Sequence, residues 1–136
     1  MSEIGFDVPD YKKIRVIVDT DAACEADDPF AIVHALLSPK LIVKGVVAEH
    51  FNVAHSMEDS YNEILTIKQA MAVDFPAFMG QTGPLSEDTY VSEGVDFIIK
   101  EALTDSPSLY MRPVIFSSIA LVYRIWLDLK KLPDKK

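Results

Sequence analysis

The stretch VIVDTDAACEADDPFAIVHALL, residues 16–37, sets five carboxylates within ten positions: Asp19, Asp21, Glu25, Asp27 and Asp28. An apolar run precedes them and an apolar helical pattern follows. Like charges this close repel, and their pKa values rise unless something positive sits among them. Oxygen donors crowded in this way suit a hard divalent cation, because Ca²⁺ and Mg²⁺ take carboxylates, carbonyls and water. Zinc is a poorer match: Cys24 is the one cysteine of the chain, and a zinc site wants several Cys or His. Asp-x-Asp at a strand end is expected to point both acids to one side, since strand side chains alternate. Asp27 or Asp28 would then reach in from the helix start. Each acid also has an ordinary role. Asp19 and Asp21 can end a strand, Asp27 and Asp28 can cap a helix, and Glu25 can be solvated or act as an extra ligand. Several carboxylates together between a buried strand and a packed helix are harder to place without partners.

These acids need elements to position them. IRVIV (14–18) is short and β-branched and reads as a strand buried on both faces. DDPFAIVHALLSPK reads as a helix, with Asp28 as its cap, Pro29 inside its first turn and Ser38-Pro39 closing it. LIVKGVVAE (41–49) is a second buried strand, so the three form a βαβ unit with a right-handed crossover. HSMEDSYNEILTIKQAMAV opens with Ser-x-x-Asp, a near capping box. Met57, Tyr61, Ile64, Leu65 and Met71 then recur at helical spacing. FPAFMGQTGPLSEDTY reads as a loop with a short strand at its start. SEGVDFIIKEALTD reads as a third helix, RPVIFSS (112–118) as a third core strand and IALVYRIWLDLKKL as a last helix. The alternation predicts a single α/β domain over residues 1–136, three-layered, with a mostly parallel open sheet and helices on both faces. In such sheets ligands bind at the carboxyl ends of the strands. Both the acidic cluster and the AEHFN segment (48–52) fall there.

Composition narrows the classes. The chain has 136 residues, 49% hydrophobic and 25% charged, which suits a folded domain. Its 21 acidic and 13 basic residues give a net charge of -8, which argues against a nucleic-acid partner. A single cysteine suits a reducing compartment, so a cytoplasmic location is expected. The N-terminal MSEIGFDVPDYKK lacks the apolar stretch of a signal peptide. No apolar run is long enough to span a membrane, so no membrane partner is expected.

The segment VIVDTDAACEADDPFAIVHALLSP resembles the N-terminal signature of the inosine-uridine-preferring nucleoside hydrolases: an apolar strand, Asp-x-Asp, a short loop, Asp-Asp, then a helix. The loop here is two residues longer than in the commonest form, as in a divergent branch of hydrolase-like proteins. KGVVAEHFN is similar to the family's second-strand segment ending in asparagine, and FPAFMGQTGPL to the segment ending in Gly and Pro-Leu. The resemblance covers residues 13–85. It implies hydrolysis of the N-glycosidic bond of a ribonucleoside to base and ribose, with Ca²⁺ holding the attacking water and the ribose hydroxyls. By motif, Asp21 is implied as general base and metal ligand and Asp28 as metal ligand. Asp27 is implied as a holder of a ribose hydroxyl, Asn52 as a ribose contact and Asp19 as support. Members of the family are longer. Their later part supplies a further metal-binding aspartate, more ribose contacts and usually a histidine near the leaving base. Here SSIALVYRIWLDLKKLPDKK follows Phe116, in place of the family's Gly-Pro-Leu-Thr-Asn-like turn. The expectation is the N-terminal part of a larger fold, completed by a missing C-terminal half or by a second copy.

Two other readings stand beside this one. One is a catalytically inactive fragment that binds a cation or self-associates through an exposed apolar surface, such as the helix around Trp126. The other is a phosphatase of the haloacid dehalogenase type, which also carries Asp-x-Asp after its first strand. That family wants Thr or Val where this chain has Ala23. Among the histidines, His34 is expected near the core. His50 and His55 flank the end of the second strand, where one can face a nucleobase and loop histidines are more often simply exposed.

Overall fold

The computed structural model describes residues 7–84, 91–104 and 109–113. Its frame is β1 (Ile14–Thr20), α1 (Asp27–Leu37), β2 (Leu41–Ala48), α2 (Ser56–Met71), β3 (Ala77–Met79), α3 (Glu93–Ala102) and β4 (Leu109–Pro113). The four strands form one parallel sheet in the order β3-β2-β1-β4. β1 and β2 slip register between Val16 and Ile17, where Val16 faces Val43 and Ile17 faces Gly45. Lys44 is therefore the extra residue of a bulge.

Alternation along the strands divides the core in two. Val18, Val46 and Ala48 pack with Ile32 and Ala35 of α1 and with Met57, Ile64 and Ile67 of α2. Ile17 and Val47 pack on the opposite face with Val95 and Ile98 of α3, where Phe78 and Phe97 stack with ring centroids 4.1 Å apart. The expected α/β sheet with helices on both faces is what the described residues form. None of their helices is long and apolar enough to cross a membrane.

Several local expectations need correction. Asp28 does not cap α1. The helix begins at Asp27 after Ala26, without a side-chain cap, and Asp28 turns inward to a partner on β1. The Ser-x-x-Asp of α2 makes no capping box: the N-cap is His55, with no side-chain cap bond, and the Ser56 hydroxyl accepts the Phe51 N–H instead, at 3.0 Å. A side-chain cap forms at α3, where Ser92 accepts the Val95 N–H. His34 is exposed rather than near the core, because α1 buries the stripe through Asp28, Ile32 and Ala35. Phe30, 75% exposed, lies off that stripe too. The strand beside β1 runs over Leu109–Pro113, three residues earlier than expected. Residues 114–118 of the expected strand and the last helix with Trp126 lie outside the described residues.

Candidate functional site

The carboxyl ends of three strands are tied side by side. The Glu49 N–H donates to the Thr20 carbonyl at 2.8 Å, and the Gly80 N–H to the Ala48 carbonyl at 2.8 Å. The loops after β1, β2 and β3 therefore leave the sheet along one edge, the edge at which ligands bind in open parallel sheets.

Asp19 is the last residue but one of β1 and is 3% exposed. It shares the face of Ile17, on the α3 side. Thr20 faces the other way, and its hydroxyl donates to the Asp28 Oδ1 at 2.7 Å in a buried contact. This bond fixes the start of α1 against the end of β1. Asp21 lies beyond the strand, in a turn closed by the Cys24 N–H on the Asp21 carbonyl at 2.7 Å. Strand alternation thus stops at Thr20 and does not align Asp19 with Asp21. Instead Asp21 is close enough to Asp28 and Glu25 to feel their charge. Burial pushes its carboxyl above the ordinary range, its own N–H pulls it partly back, the Asp28 charge raises it, the Cys24 thiol lowers it and the Glu25 charge raises it again. The same surroundings hold the Cys24 thiol up, through desolvation first and then the charges of Asp21 and Glu25, which is the opposite of what a reactive cysteine needs. Asp27 and Glu25 are exposed.

The loop after β2 is bent at two non-glycine residues with left-handed backbone, Asn52 and His55, both at φ 63°. Asn52 is exposed, and its backbone N–H donates to the His50 Nδ1 at 3.2 Å. His50 and residues 52–54 face residues 82–84 across a cavity of about 200 Å³. Asn52 lines this cavity, and none of the candidate aspartates does. The expected site residues are thus gathered in two groups along the sheet edge. Asp21 and Asp28 lie together at β1, Asn52 lies in the cavity beyond β2, and Asp19 sits beneath on the α3 side.

Sequence reasoning passed over two buried polar residues here. Glu49, 5% exposed, directly follows β2, much as Asp19 nearly ends β1. A carboxylate directly after the apolar run GVVA was the available signal. Gln81, 4% exposed, follows β3, and its Nε2 has no hydrogen-bond partner among the described residues. Nothing in the sequence separates that glutamine from an ordinary loop residue. Gly80, between them in space, owes its identity to close approach. A Cβ there would stand 2.3 Å from the Ala48 carbonyl oxygen and 2.6 Å from the Glu49 Oε1.

Among the described residues no three of His, Cys, Asp and Glu gather into a metal cage. No protein-family model matches the chain, and no curated protein matches it.

Proposed function

We propose that the chain carries the metal and ribose end of a nucleoside hydrolase, acting on the N-glycosidic bond of ribonucleosides. The observation that carries this reading is the Asp21–Asp28 pair at the carboxyl edge of a parallel sheet. One member is locked by Thr20, and the other is held uncomfortably charged by burial and by its neighbour. Two oxygen donors under mutual repulsion fit a hard cation, which would relieve both. Water and groups outside the described residues would complete its shell. When bound, Ca²⁺ supplies a Lewis acid that acidifies a water molecule. Asp21 takes the proton of the attacking water on a carboxylate oxygen. Water adds at C1′ of the ribose, the C1′–N bond breaks, and its electron pair leaves with the base. Exposed Asp27 accepts from a ribose hydroxyl, the Asn52 side chain holds the sugar from the second loop, and Asp19 supports the strand end.

A second reading, a chain that binds a cation or a second copy without turnover, is favoured by the absence of a third clustered ligand among the described residues. The phosphatase reading rests on Asp-x-Asp alone, with Ala23 where that family wants Thr or Val.

The test is a calorimetric Ca²⁺ titration of metal-free protein, of Asp21→Ala and of Asp28→Ala, with ribose release from inosine assayed on the same samples. Calcium binding lost in both variants, with ribose released by the parent, is the expected result. Binding without turnover selects the second reading. No binding returns the acids to structural roles and removes the mechanism.

A further inference from the structure

We propose that His50 is the residue of this chain that holds the nucleobase, by donating a hydrogen bond from Nε2 across the cavity beyond β2. The choice of ligand class rests on the hydrolase reading; the placement rests on the cavity itself. Its volume of about 200 Å³ falls below the roughly 300–1,000 Å³ of sites that enclose whole drug-sized ligands, so it suits one heterocyclic ring system and leaves the sugar outside. The walls suit a flat ring with a polar edge. Val53, Ala54 and Pro84 offer apolar surface, and His50, Asn52 and Thr82 offer polar atoms. Val53 is 60% exposed, so a stacked ring would cover apolar area that water now touches.

The tautomer of His50 is set by its own loop. The Asn52 N–H donates to Nδ1, so Nδ1 is the acceptor and the neutral ring carries its proton on Nε2. This makes His50 a single directed donor, matched to a ring nitrogen or carbonyl oxygen on the edge of a base. The loop carrying His50 also has left-handed backbone at Asn52 and at His55, and such uncommon backbone is held where the surroundings determine it. His55 is a poorer candidate, because it is fully outside the cavity lining and serves as the N-cap position of α2. No candidate aspartate lines the cavity, so an electron-rich base edge there meets the His50 donor and not a carboxylate. The ribose would then extend along the sheet edge from Asn52 towards Asp21.

The test uses the full chain with ¹⁵N-labelled histidine, titrated separately with hypoxanthine, uracil and ribose. A saturable shift of the His50 Nε2 resonance with either base, and none with ribose, is expected. His50→Ala should weaken base binding about five- to ten-fold, the loss of one hydrogen bond, and His50→Gln should recover part of it through its amide N–H. The proposal is overturned if neither base binds, if the His50 resonances stay still while base binds, or if His50→Ala binds base as tightly as the parent. The hydrolase reading fails separately, on calcium binding and ribose release with Asp21→Ala. Base held by His50 in a chain without turnover would sink that reading alone, and turnover with base binding indifferent to His50 would sink this one alone.

Discussion

At the amino end of β1 the Arg15 guanidinium reaches the Glu101 carboxylate at 2.7 Å and the Thr104 hydroxyl at 2.8 Å, with Lys44 at 3.8 Å from the same carboxylate. At the carboxyl end of the same strand, Asp21 and Asp28 enter no ion pair among the described residues, and the bond holding Asp28 comes from a neutral hydroxyl. The seven-residue strand β1 lies between a charge that is matched and charges that are not. Opposite charge at the amino end pins the last turn of α3 to the sheet. Like charge at the carboxyl end stabilises nothing in the fold by itself, and its repulsion is what a cation would remove. The two ends of the sheet thus differ in how their charges are matched, and the proposed cation would act at the unmatched one.

The largest effect should come from breaking the matched end. Glu101→Ala strands the Arg15 guanidinium, whose side chain is only 13% exposed, and should cost about 3 kcal/mol in urea unfolding. Replacing both partners, Arg15→Met with Glu101→Leu, should recover most of that loss, because the penalty belongs to the orphaned charge. Gly80→Ala comes next and attacks the other end through packing. The added methyl meets the Ala48 carbonyl, which cannot swing away as a side chain can. The expected loss is about 2 kcal/mol, with a lower Tm that added Ca²⁺ does not restore to the parent value.

The contrast between the two ends was only half legible beforehand. β-Branched runs separated by a helical pattern sufficed for β1, α1 and β2, because burial on both faces leaves few other arrangements. Arg15 gave no hint of its partner: Glu101 lies 86 positions away in sequence, and only the crossover to α3 brings it near. The acidic cluster stood out by composition, yet its internal arrangement did not. A strand ending at Thr20 instead of Asp21 redirects Asp21 towards Asp28. Capping expectations failed at α1 and α2 for one reason. Asp28 is bonded to Thr20 of β1 and Ser56 to the Phe51 N–H of the preceding loop, partners that capping rules do not weigh. His34 is exposed because α1 buries one stripe, through Asp28, Ile32 and Ala35, and its apolar neighbours in sequence do not show which side faces the sheet.

A third change tests whether the neutral hydroxyl at the carboxyl end matters. Thr20→Val keeps the shape and removes the donor to the Asp28 Oδ1. A buried carboxyl losing a hydrogen bond should cost between about 1 and 2 kcal/mol, less than either change above. If Asp28 is a calcium ligand, the same variant should weaken calcium binding more than it lowers stability, because the carboxyl is then free to turn. Equal losses in both would assign Thr20 to the fold alone.

The smallest effect carries the clearest sign. The Asp21 carboxyl is raised in the folded chain, first by burial, so the native state holds its proton at pH values where the unfolded state has released it. The native state then binds more protons, and stability falls as pH rises through the window from the unfolded carboxylate value of about 4 up to the raised folded value. Above that window ionised Asp21 is a net burden on the metal-free fold; below it the burden is absent. Asp21→Asn should therefore raise Tm modestly at pH 7 without metal and leave it unchanged near pH 3. Calcium reverses the comparison. A cation that binds through Asp21 should raise the parent Tm by mass action and do less for Asp21→Asn, so the two melting temperatures cross as calcium is added. Parallel curves, with Asp21→Asn ahead at every calcium concentration, would mean that the burden at this end of β1 is never relieved by a cation, and the contrast between the two ends would lose its functional half.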